Sequence, residues 1–138
     1  MQESLVANPP RLRRAAILSR YGTGLILATM FIGTHYPYSI PGTEIFHFSN
    51  FDKALHFSAY LVLTVSCLAS WEFSTGILRP SHYFFVWLFG TIYGALDEIT
   101  QLPVGRTCDG MDWLADIVGI IAGLTIFRLI RPLLYRLI

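Results

Sequence analysis

Residues Ala95–Gly119 read ALDEITQLPVGRTCDGMDWLADIVG, a polar interval between two strongly apolar runs, FFVWLFGTIYG at 84–94 and IIAGLTIFRLI at 120–130. A helix needs about 17–25 mostly apolar residues to cross a ~30 Å hydrocarbon layer. If both flanks are such helices, the interval is a connection at one face of a membrane. Asp97, Glu98, Gln101, Arg106, Asp109, Asp112 and Asp116 then lie at or just inside the helix ends. Ionisable groups at that depth are costly unless they are paired, solvated or functional, so this connection decides how the whole chain is read.

The rest of the composition agrees with a lipid environment. The chain is 54% hydrophobic and only 14% charged, with mean hydropathy +0.53, too few polar side chains to cover a soluble globule of 138 residues. A net charge of +1 gives no basic excess for phosphate backbones, which argues against a nucleic-acid partner. Working outward from the connection, four windows have spanning character, approximately 15–34, 54–71, 81–100 and 112–130. No internal repeat or low-complexity tract interrupts them, so 1–138 is read as a single domain. The predicted fold class is all-α, an integral membrane four-helix bundle.

Basic residues set the expected orientation. Arg11, Arg13, Arg14, Arg20, Arg79, Arg128, Arg131 and Arg136 fall on one side of the four-span arrangement, and only Lys53 and Arg106 fall on the other. The positive-inside rule then makes this a multi-pass protein with both termini cytoplasmic. FIGTHY at 31–36 lacks a small-x-small cleavage pattern, so the first span is read as uncleaved. Seven of the nine carboxylates, Glu44, Asp52, Asp97, Glu98, Asp109, Asp112 and Asp116, gather at the opposite, extracytoplasmic face. Acidic residues contribute little to topology, so this gathering needs a local cause.

Helical spacing sharpens it. In DKALHFSAY, Asp52, His56 and Tyr60 recur every four residues and share one face. Gly90 and Gly94 precede Asp97, Glu98 and Gln101, and Asp112, Asp116, Gly119 and Gly123 form a stripe on the fourth span. Small residues at that spacing let membrane helices approach closely. The stripes that pack the bundle therefore also carry its polar groups, and Arg106 is expected to pair with Asp97, Glu98, Asp109 or Asp112.

DKALHFSAY followed by DEITQLPVGRTCDGMDWLADIVG resembles the VanZ-like family of small bacterial membrane proteins, whose pattern is Asp-Lys-x-x-His, then Asp-Glu-x-x-Gln, then an Arg, two Asp and a Gly. It falls here on Asp52, Lys53, His56, Asp97, Glu98, Gln101, Arg106, Asp109, Asp112 and Gly119. Asp116 stands where the pattern leads us to expect Asn. The family takes its name from a protein of glycopeptide-resistance gene clusters associated with reduced teicoplanin sensitivity. The resemblance thus implies a setting in the cell envelope and antibiotic resistance, and no particular reaction.

The expected site follows from chemistry. His56 with Asp97, Glu98 and Asp112 are candidates for general acid–base catalysis, and Asp52, Lys53, Gln101, Arg106, Asp109 and Asp116 for holding a ligand. There is no His-Glu-x-x-His signature, phosphate loop or nucleophile elbow, so neither a metal nor a cofactor is named by the sequence. Membrane lipids are the expected partners, with a lipid-linked envelope intermediate or lipid head group as ligand. The alternative is an accessory or scaffold subunit of a larger membrane protein assembly, in which the polar cluster is a structural ion-pair network.

Overall fold

A computed structural model describes residues 10–35 and 51–137. Residues 36–50, the connection that carries Glu44, fall outside the described residues. Four α-helices make up the bundle: α1 (Pro10–His35), α2 (Phe51–Thr75), α3 (Pro80–Gln101) and α4 (Gly110–Leu137). All run past the windows read from hydropathy, because helix geometry continues into polar end turns that a hydropathy window excludes. α1, α2 and α4 are long and apolar enough to cross a membrane. The 22 residues of α3 match them in kind but end in Asp97, Glu98 and Gln101, which lower their mean hydropathy.

Local chemistry stops and starts the helices. Gly76, at φ +88°, takes the left-handed conformation that ends α2 and donates its N–H to the Glu72 carbonyl at 2.8 Å. Pro80 opens α3 at a position where its missing N–H costs nothing. The Arg79 N–H just before it is taken up by Nδ1 of His82 at 3.0 Å. After α3, the short 3-10 turn Leu102–Val104 closes on Gly105 at φ +80°. Asp109 then caps α4 by accepting the Met111 N–H at 2.8 Å.

Cross-helix bonds give the directions. Arg20 Nε donates to Ser74 Oγ at 3.0 Å, and Thr23 shares a 2.8 Å bond with Ser66, so α1 and α2 run antiparallel. Thr34 at the end of α1 reaches Asp97 at the end of α3. The result is an up-down-up-down bundle with the start of α1 and the end of α4 at one pole. The outward faces are apolar, with Leu18 71% and Leu25 69% exposed, as lipid-facing positions require.

The closest packing joins α2 to α4. A Cβ on Gly119 would overlap the Phe57 carbonyl oxygen, and one on Gly123 would sit 2.8 Å from both the Leu61 oxygen and the Thr64 Cβ. Gly94 likewise makes room for Asp116, whose Oδ2 would lie 2.9 Å from an added Cβ. Leu68, Leu78 and Phe127 form the apolar core at the pole of the chain ends, under Trp71, Tyr83 and Leu124. The polar residues are left to the opposite pole.

Candidate functional site

Four helix ends meet at that pole: the last turns of α1 and α3 and the first turns of α2 and α4. His56, Asp97, Glu98, Gln101, Asp112 and Asp116 are all buried there. Nδ1 of His56 lies 2.9 Å from Oδ1 of Asp116, within hydrogen-bond distance. The other ring nitrogen, Nε2, then faces Oε1 of Glu98 at 3.8 Å. Glu98 is itself held by the Asp109 N–H at 2.9 Å and by Gln101 at 3.4 Å.

Two further groups surround this centre. Lys53 Nζ donates to Asp109 Oδ2 and Asp112 Oδ1, both at 3.0 Å, and so ties the start of α2 to the start of α4. Asp97 accepts from Thr34 at 3.0 Å and Gln101 at 3.2 Å, with His35 Nδ1 at 3.9 Å. Asp109 lies outside the spans, and its carboxyl is held below the ordinary carboxylate value by the Met111 N–H first and the Lys53 ammonium second.

Against known families, the VanZ/LLP1 family model matches residues 12–131. The chain belongs to the VanZ/LLP1 family. No curated protein and no solved structure matches it. The VanZ/LLP1 match runs from α1 into α4 and includes every residue of the polar pole, so with its apolar helices this is a VanZ-like membrane protein.

The ten candidate site residues gather at this pole, but one pairing differs from expectation. Arg106 was expected beside Asp97, Glu98, Asp109 or Asp112; its Nη2 instead lies 3.7 Å from Asp52, and Nη1 donates to the Gly33 carbonyl at 3.1 Å. Lys53 takes Asp109 and Asp112 because the first turn of α2 packs directly on that of α4, while the turn at Gly105 aims Arg106 back across α1. Thr34 and His35, at the end of α1, join the pole without belonging to the sequence pattern. Their signal was a polar Thr-His pair closing an otherwise apolar run.

His56 belongs to two groupings able to hold a cation, Asp52 with Asp112 and Glu98 with Asp116; in each, the donor atoms lie within 4.8 Å of one another. Beside them a groove of about 610 Å³ runs between α1 and α2. Leu25, Met30, Leu55 and Val62 form its apolar walls, and Thr34, Asp52, His56 and Arg106 its polar end. Tyr60, one turn below His56, also lines it.

Proposed function

We propose that the polar pole faces the outside of a bacterial plasma membrane and binds or modifies the head group of a cell-envelope lipid or lipid-linked intermediate, in a setting linked to glycopeptide resistance. The orientation is supported by the division of basic residues, eight against Lys53 and Arg106. The observation that carries the ligand class is the groove: apolar walls lead to a guanidinium, an imidazole and a carboxylate at one end. That is the polarity profile of a lipid, with an acyl chain along α1 and α2 and an anionic head group at Arg106. His56, beside Asp116 and facing Glu98, lies at the head-group end of that groove.

The test is native mass spectrometry of the protein extracted with its lipids. Wild type should retain a defined anionic lipid, and Arg106→Ala or Ala59→Trp, which fills the groove, should release it. Equal retention by all three would sink the reading.

A second reading draws on the pairing of Lys53 with two carboxylates and of Asp97 with two neutral donors. Such a closed network is what a non-catalytic subunit of a larger membrane assembly would use to hold its helix ends in register. Purification as a lone monodisperse species favours the lipid reading, and co-purification with a stoichiometric protein partner favours the accessory one.

A further inference from the structure

Carboxylates outnumber cations at the polar pole. Among the described residues there, Asp52, Asp97, Glu98, Asp109, Asp112 and Asp116 face two permanent cations, Lys53 and Arg106. Lys53 is shared by Asp109 and Asp112, and Arg106 lies beside Asp52. Asp97 is held by Thr34 and Gln101. Glu98 and Asp116 are left sharing one imidazole, in a group whose three members are 3%, 0% and, for His56, 6% exposed. A single protonated ring balances only one of the two charges.

This group also contains a buried polar atom that is unsatisfied among the described residues. Oδ2 of Asp116 is fully buried and has no hydrogen-bond partner among the described residues. The same holds for the hydroxyl of Tyr60, one turn deeper on the face that carries His56. A buried carboxylate oxygen without a donor costs free energy that a bound cation would remove.

We propose that His56, Glu98 and Asp116 form a site for a divalent cation of borderline hardness, with Zn²⁺ and Mn²⁺ as its representatives. The ligands come from α2, α3 and α4, and their donor atoms lie within 4.8 Å of one another. The 3.8 Å between His56 Nε2 and Glu98 Oε1 is too long for a hydrogen bond. It suits two donors bound to one ion at about 2.0–2.2 Å across a wide angle. One imidazole with two carboxylates matches zinc or manganese better than the all-oxygen shells of calcium and magnesium or the thiolate shells of softer ions. Two carboxylates also balance the ion's charge. The alternative grouping of Asp52, His56 and Asp112 is less suited, because Lys53 and Arg106 already stand against its carboxylates. The cation site holds whether or not a lipid occupies the neighbouring groove.

The experiment uses the full chain in detergent, stripped with chelator, equilibrated separately with Zn²⁺ and Mn²⁺, desalted and assayed for metal per chain. Wild type should keep one equivalent of at least one of the two ions. Glu98→Gln and Asp116→Asn should each weaken binding at least tenfold, and Asp52→Asn should leave it unchanged. X-ray absorption on the metal-loaded wild type should show one imidazole and oxygen neighbours without sulfur, a reading that does not depend on any variant folding. No stoichiometric metal in wild type, a shell without imidazole, or loss of metal in Asp52→Asn with retention in Asp116→Asn would each overturn the site.

Discussion

Gly119 of α4 lies so close beneath the main-chain carbonyl of Phe57 on α2 that no side chain fits between the two helices. Association in lipid depends on such close packing because the tails outside are as apolar as the side chains inside. Gly119→Ala should therefore force the helices apart and cost about 1–3 kcal/mol. Gly33→Ala, where nothing lies within 4 Å of an added Cβ, is the control. Thermal unfolding in detergent checks the pair, and equal melting temperatures would contradict the packing.

At the opposite pole, Glu72 is buried and accepts from Arg131 Nε at 2.5 Å. Arg131→Ala should cost about 3–5 kcal/mol, because it removes the Arg131 guanidinium from a buried carboxylate. Arg131→Lys should recover part of that loss. The same unfolding assay reads both, and a neutral Arg131→Ala would show that the pair carries little.

The natural cysteines report topology. Cys108 is exposed in the connection before α4, whereas Cys67 lies partly buried in the middle of α2. A membrane-impermeant maleimide should label Cys108 in intact cells and spare Cys67. Protection of Cys108 until the membrane is permeabilised would reverse the proposed orientation.

Asp109 couples stability to pH. Its folded pKa lies below the ordinary carboxylate value, so its contribution is present above about pH 3.9 and is lost as pH falls through the folded value. Asn caps helices about as well as Asp, so Asp109→Asn keeps the cap and removes only the charge facing Lys53. Wild type should melt above Asp109→Asn near neutral pH, and the gap should narrow as pH falls below about 3.9. A gap independent of pH would remove the charge from the account.

If the polar pole acts on a head group, Glu98→Gln and His56→Ala should abolish lipid turnover while the variants keep their helical content and elute as wild type does. In a purely structural network the same changes would lower the melting temperature with no activity to lose. Circular dichroism beside a lipid-turnover assay separates the two outcomes.

Much of this arrangement was legible along the chain. Apolar run lengths announced the helices, and the four-residue spacing of Asp52, His56 and Tyr60 put them on one face before any neighbour was known. The small-residue stripe at Gly119 and Gly123 marked a close helix contact, because glycine spacing is itself a property of the sequence. Which partner each charge would take was not legible. Arg106 sits three residues from Asp109 and was expected to pair with Asp97, Glu98, Asp109 or Asp112, yet Lys53, 56 positions away, is the cation on Asp109. Side-chain pairing at helix ends depends on the relative height and rotation of packed helices, which the Phe57–Gly119 and Gly94–Asp116 contacts set here. Sequence alone determined which groups reach the polar pole. Only tertiary packing decided that Asp116 would stand beside His56 with one oxygen unsatisfied among the described residues, because that depends on how closely α3 and α4 approach at a glycine.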